Sequence, residues 1–195
     1  MDLSEFFKAE LAEHHAVASR TEAVLADAFA AMVAACVRSV RGGGKLMFFG
    51  NGGSAADAQH LATELTIRYK KNRPAIAALA LTTDTSALTA AANDLGFDQV
   101  FSRQIEALGR PEDVAIAIST SGNSANVIAG LRQAKSMGLV TVAFSGQGGG
   151  DMAALVDHLL EVPSNTTARI QEMHVMLGHL LCEALEVELG LVPRD

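Results

Sequence analysis

His60 and Glu64 stand four residues apart in Q-H-L-A-T-E. On a helix that spacing leaves both on one face, roughly 40° apart around the axis. An imidazole and a carboxylate so placed can meet a common ligand, as metal donors or as an acid and a base. A second group crowds the carboxyl-terminal region, where Gln171, Glu172, His174 and His179 follow one another closely. Gln171 and His179 are two turns apart along a helix and roughly 80° apart around it, and His174 is about as close in angle to Gln171. Spacing alone therefore leaves His174 and His179 as alternatives. Two helices each offering a His and an oxygen ligand could assemble a tetrahedral zinc site, although Gln is an unusual ligand and no H-x-x-x-H occurs. The plainer reading of each His is a hydrogen-bonded residue on a half-buried helix face. His14, His15 and His158 are left with that reading.

Two turns offer a different chemistry. Gly50 to Ala56 reads G-N-G-G-S-A-A. Glycines let the backbone close on a ligand, and amides at a helix start point at an anion. Any tight strand-to-helix turn favours the same residues, so this loop by itself does not single out a phosphate. It is not a Walker A loop, because Lys45 is followed by Leu46, and it is not G-x-G-x-x-G, because Ala55 stands at the third glycine. Ser119 to Ser124 reads S-T-S-G-N-S, four hydroxyls in six residues. An N-cap role accounts for Ser124 but leaves Ser119, Thr120 and Ser121 unexplained. Hydroxyls and amides can hold a phosphate without Lys or Arg, which suits a monoester on a neutral sugar. The Gly148-Gly149-Gly150 turn carries no hydroxyl and is assigned no role.

The elements that would present these residues follow from the apolar pattern. Helical spacing occurs twice before any strand, Leu3 to Ala18 and Glu22 to Arg41, and stops at Gly42-Gly43-Gly44. Lys45 to Gly50, Ala75 to Leu81, Val114 to Ser119, Val140 to Ser145 and Leu159 to Val162 read as strands, the continuous apolar runs implying burial on both faces. Ser54 opens a helix to about Tyr69, Ser124 another to about Met137, and Ala168 to Leu189 a last one. The expectation is a single α/β domain over residues 1–195. It comprises an N-terminal helical segment (1–41), a doubly wound, mostly parallel core (45–162) and a C-terminal helix (168–189). In such sheets ligands sit beyond the carboxyl ends of the strands, which puts both loops on one edge.

Composition narrows the function classes. With 195 residues, 49% hydrophobic and 19% charged, the chain is globular rather than disordered or collagen-like. Its 15 Lys and Arg against 22 Asp and Glu leave a net charge of -7, which disfavours a nucleic-acid partner. Cys36 and Cys182 form no C-x-x-C, so a reducing compartment is expected. The start Met1-Asp2-Leu3-Ser4-Glu5 lacks the basic flank of a signal peptide, and no run of 18 apolar residues is uninterrupted. A cytoplasmic protein with no membrane partner is the expectation. Apolar surface on the N-terminal helices points to a homo-oligomer.

Taken together, G-N-G-G-S-A-A-D-A-Q-H-x-x-x-E, A-N-D-L-G-F (Ala92 to Phe97), S-T-S-G-N-S-A-N-V and R-I-Q-E-M-H-x-x-x-x-H resemble the sugar isomerase (SIS) domain family, and within it the branch that isomerises sedoheptulose 7-phosphate. The resemblance spans nearly the whole chain. It implies a homotetramer with sites between subunits, and an aldose-ketose interconversion of sedoheptulose 7-phosphate and D-glycero-D-manno-heptose 7-phosphate. It implies substrate contacts by Asn51, Gly52, Gly53, Ser54, Glu64, Asn93, Asp94, Ser119, Thr120, Ser121, Ser124 and Gln171. It further implies one zinc ion on His60, Glu64, Gln171 and His179, with Glu64 as base and His179 as acid. By resemblance, then, the histidine is His179. Some members carry Asp just before the Arg of R-I-Q-E, where this chain has Ala168 ahead of Arg169. A non-catalytic adaptor branch shares S-A-A-x-A-Q-H, Thr83 to Asp84 and A-R-I-Q-E-M-H but lacks the counterparts of Glu64 and His179, which this chain has. A sugar-phosphate-sensing regulator would want a DNA-binding domain, for which 195 residues leave no room.

Overall fold

The apolar runs become one parallel sheet. In the computed structural model, which describes residues 1–193, the strands are β1 (Leu46–Gly50), β2 (Ala78–Ala80), β3 (Val114–Ser119), β4 (Val140–Ser145) and β5 (His158–Glu161). Their order is β2-β1-β3-β4-β5, with every neighbouring pair parallel. The helices are α1 (Leu3–Arg41), α2 (Gly53–Thr66), α3 (Thr85–Asp94), α4 (Ser102–Leu108), α5 (Ala125–Ser136) and α6 (Thr167–Glu188).

β1 and β3 are buried at every residue because helices cover both faces of the sheet. Alternation assigns the sides. Leu46, Phe48, Ile116, Ile118 and Phe144 enter one core with α1, α2 and α6, whereas Met47, Phe49, Ala115, Ala117 and Ala143 enter the other with α3, α4 and α5. Alanines on the second side let α5 approach closely: a Cβ at Gly130 would stand 2.8 Å from the Phe49 ring. The chain order reverses between β1 and β3, so the loops following these two strands open side by side at the switch point.

Three local expectations change. The N-terminal segment is one 39-residue helix rather than two. No Gly or Pro interrupts residues 19–21, and Val17, Thr21 and Leu25 are buried in succession, so packing carries the helix through the join. By length and composition this helix would suffice to cross a membrane, but part of its most apolar stretch lies in the core. The strand expected from Ala75 is only three residues long, at the sheet's edge. Helices α3 and α4 were not anticipated. The start signal for α3 is present in Asp84, whose carboxylate accepts the Ala87 N–H at 2.9 Å.

Candidate active site

The two loops are tied together at their base. Asn51 and Asn126 exchange two side-chain hydrogen bonds, each 2.8 Å, across the β1/β3 switch point. Asn126 is buried and was missed among the site residues, its only signal being its place in S-A-N-V. A Cβ at Gly50 would stand 2.5 Å from the Ile118 carbonyl, so glycine is what lets the ends of β1 and β3 lie so close. Gly52, at φ +56°, turns the chain into α2 and faces open space. Ser54 is buried behind it.

On the second loop, Ser119 Oγ accepts the Gly122 N–H at 3.2 Å and lies 3.4 Å from Ser124 Oγ, and Ser121 Oγ accepts the Asn123 N–H at 3.2 Å. Thr120 supplies its carbonyl to the Gly146 N–H at 3.1 Å. Ser124 occupies the N-cap position of α5, yet its side chain makes no cap bond among the described residues. Its hydroxyl faces the loop instead. The glycine turn assigned no role proves to be a buttress. Gly122, at φ +68°, presses on the Gly149 carbonyl where no Cβ would fit, and its own carbonyl accepts the Met152 N–H at 3.1 Å. The first-turn amides of α2 and α5, which precede any intrahelical acceptor, thus converge beside a set of hydroxyls. Amides and hydroxyls without a fixed partner are donors of the kind an anion requires.

The titratable residues gather about two helical turns further along. His60 Nε2 lies 3.1 Å from Glu64 Oε1 and 3.3 Å from His179 Nε2, and the donor atoms of all three residues fall within 4.8 Å of one another. α6 comes this close to α2 because of Gly178, where a Cβ would stand 2.5 Å from both methyls of Leu61. The Tyr69 ring stacks on His179, centroids 5.2 Å apart and 29° between planes. These separations suit zinc. Bonds of about 2.0 to 2.1 Å place two ligands of a tetrahedron about 3.3 to 3.4 Å apart, and two His with one carboxylate form a donor set that keeps a fourth position open.

The alternative histidine lies elsewhere. His174 is fully buried, its Nε2 is 3.2 Å from the Ser145 carbonyl, and burial pushes its pKa down to about 4. It is a core residue beside Phe144. Gln171 lies at the first loop: its amide nitrogen is 2.7 Å from where a Gly53 Cβ would stand, and its backbone is about 12 Å along α6 from that of His179. Asn93 and Asp94 close α3, are exposed and bond to each other at 2.7 Å, with no hydrogen bond to either loop among the described residues. Asp57, on α2 between loop and trio, escaped the sequence reading. Burial raises its carboxyl above the usual range, opposed by nearby His60. Both cysteines are buried with thiols pushed up to about 12, mainly by desolvation, so neither serves as a nucleophile.

A family model described as SIS domain matches residues 11–146. The chain is 59% identical over 186 residues to the phosphoheptose isomerase of Paramagnetospirillum magneticum, covering 95% of this chain and 97% of that one. Among solved structures it superposes on the phosphoheptose isomerase of Neisseria gonorrhoeae with a TM-score of 0.89 at 45% identity, covering 94% of this chain and 98% of the other. The corresponding values for a phosphoheptose isomerase from Francisella tularensis are 0.91, 32%, 95% and 98%.

Proposed function

We propose, on the premise that the chain belongs to the SIS domain family, that it is an aldose-ketose isomerase converting sedoheptulose 7-phosphate to D-glycero-D-manno-heptose 7-phosphate, the first step toward nucleotide-activated heptose. The observation that carries this reading is the convergence of His60, Glu64 and His179 at the helix that follows a glycine-rich loop, itself tied to a hydroxyl-rich one, in a chain so similar to phosphoheptose isomerases along its length. Gly53 and His60 are about 10 Å apart along α2, a span on the order of an extended seven-carbon chain. Substrate phosphate on the loops therefore leaves its carbonyl end at the trio.

The reaction moves a proton between C1 and C2 through an enediolate, so one base can take it from one carbon and return it to the other. Glu64 is that base. Its Oε1 faces His60, which leaves the other carboxylate oxygen for the substrate. His179 faces the oxygen on which negative charge develops and donates to it where its Nε2 carries a proton rather than a metal, and the Tyr69 ring behind it restricts the imidazole's tilt. Ser119, Thr120, Ser121, Ser124 and the Asn51-Gly52-Gly53-Ser54 amides orient the phosphate, excluding most unproductive poses. A zinc ion on His60, Glu64 and His179 would polarise the substrate oxygens as a Lewis acid. Asn93 and Asp94 are exposed and bond only to each other among the described hydrogen bonds, and association would bring such groups into a shared site with Gln171 and the trio. The exposed Phe6, Phe7 and Leu11 of α1 support association, with four subunits implied by the resemblance. A phosphorylated substrate and two unpaired buried thiols fit the cytoplasm. The adaptor alternative is not favoured, because it has no use for a carboxylate opposed to an imidazole.

The test is to incubate the protein with sedoheptulose 7-phosphate, with and without chelator and then with added zinc, and to assay the aldose. Wild-type protein should form it, chelation should stop it and zinc should restore it. Glu64→Gln and His179→Ala should each lower turnover by about 10² to 10⁴. Near wild-type turnover in either variant removes that residue from the mechanism.

A further inference from the structure

Arg73 lies outside every motif discussed so far, yet its side chain is completely buried. Its guanidinium is spent on four partners. Nη2 donates to the Glu64 carbonyl at 2.8 Å, Nη1 to the Leu65 carbonyl at 2.6 Å and the Pro74 carbonyl at 3.1 Å, and Nε to Glu186 Oε1 at 2.8 Å. The Glu64 and Leu65 carbonyls are among the last four of α2, which the helix itself leaves without donors. This side chain, together with the Ile76 N–H that donates to the Leu65 carbonyl at 3.0 Å, takes the place of the missing next turn, directly under Glu64. The same Glu186 oxygen also accepts the Tyr69 N–H at 3.2 Å. Tyr69 in turn stacks on His179. From a single buried ion pair, one arm reaches the backbone of Glu64 and the other the residue that backs His179.

We propose that Arg73 and Glu186 are positioning residues that set the carboxylate of Glu64 and the imidazole of His179 relative to each other. The inference rests on the reading of those two groups as base and acid. A buried ion pair is a poor device for stability, since apolar residues of similar volume often serve as well or better once desolvation is counted. It is a good device for geometry, because the guanidinium fork holds several acceptors in one plane, which a lysine ammonium cannot do. Glu186 lies on α6 seven residues beyond His179, so the pair also ties the end of α2 to the helix that carries the imidazole.

The decisive variant is Arg73→Met combined with Glu186→Leu, which removes both charges and keeps the volume. Three quantities are measured on the full-length protein: the unfolding midpoint, kcat and KM for sedoheptulose 7-phosphate, and the visible absorption of Co(II) added in place of zinc. The double variant leaves the Glu64 and Pro74 carbonyls and the Tyr69 N–H without these partners, so it should unfold several degrees lower while remaining folded at assay temperature, with KM within about twofold. Its kcat should fall on the order of 100-fold, as for a misplacement of about 1 Å, with an altered cobalt spectrum. Arg73→Lys keeps one positive charge opposite Glu186 without the fork. It should lower kcat by about tenfold, and it carries the test if the double variant does not fold. Wild-type kcat and an unchanged cobalt spectrum in a folded variant overturn the proposal, as does a loss of kcat that only tracks a loss of folded protein. If wild-type protein does not isomerise the heptose phosphate, the functional reading falls. The cobalt spectra then still decide whether the pair shapes the His60, Glu64 and His179 cluster.

Discussion

Substituting Gly178 with Ala tests whether the contact between α2 and α6 controls the trio. The new Cβ would stand 2.5 Å from both Leu61 methyls and 3.0 Å from its Cγ. Carbon atoms in contact prefer about 3.5 to 4.0 Å, so the helices must part by about 1 to 1.5 Å. Leu61 has little room to turn aside, being 1% exposed within the core. Overpacking of this kind costs about 1 to 3 kcal/mol, and replacing Gly by Ala inside a helix returns about 1 kcal/mol. The expected net loss of stability is therefore small, about 0 to 2 kcal/mol. Activity should suffer more. Leu61 and Gly178 are the immediate neighbours of His60 and His179, whose nitrogens now stand 3.3 Å apart, and a displacement of about 1 Å at reacting groups can cost on the order of 100-fold. The assay is turnover of sedoheptulose 7-phosphate beside thermal unfolding, for Gly178→Ala and for Gly178→Ala combined with Leu61→Ala. The second change removes the clashing methyls and should recover at least about tenfold of the lost turnover, although truncating a buried Leu costs about 2 to 5 kcal/mol. Wild-type turnover in Gly178→Ala, or no recovery in a folded double variant, refutes the claim that this helix separation sets the site.

Two other outcomes follow from the geometry. Ser124→Ala should raise KM for the phosphorylated substrate by about 10- to 100-fold, the worth of a hydrogen bond to a charged group, and leave thermal stability unchanged. A helix cap would instead show about 1 kcal/mol of lost stability with KM unmoved. His174 gives a pH signature in stability: the unfolded chain takes up a proton near pH 6.5 and the folded chain only near 4. The unfolded state thus binds more protons in that window, and stability should fall as pH drops from about 6.5 to about 4. In His174→Gln, which can still donate to the Ser145 carbonyl, denaturant midpoints across this range should flatten. An equally steep dependence would assign it to other groups.

Much of this molecule is legible in one dimension. β3 and β4 run where the apolar stretches Val114 to Ser119 and Val140 to Ser145 place them. The loops after β1 and β3 announce themselves through glycine, asparagine and serine between a strand pattern and a helix pattern, because turn conformation and helix starts are local chemistry. Composition and local pattern were also enough to indicate a layered parallel fold. Other features depended on what lies opposite. A period of 3.6 residues gives a side chain an angle but not a neighbour, so His174 and His179 looked alike on α6 until the strand carbonyl of Ser145 claimed one and α2 met the other. The same holds for Gln171, drawn to Gly53, and for Gly149, whose carbonyl closes against Gly122. Arg73 gave no sign at all in its own stretch of chain. Its meaning comes from two helix-end carbonyls and a carboxylate 113 residues away, brought within reach only when the helices pack. Local propensity sets each element, whereas the contacts that make a site are long-range and exist only in the assembled core.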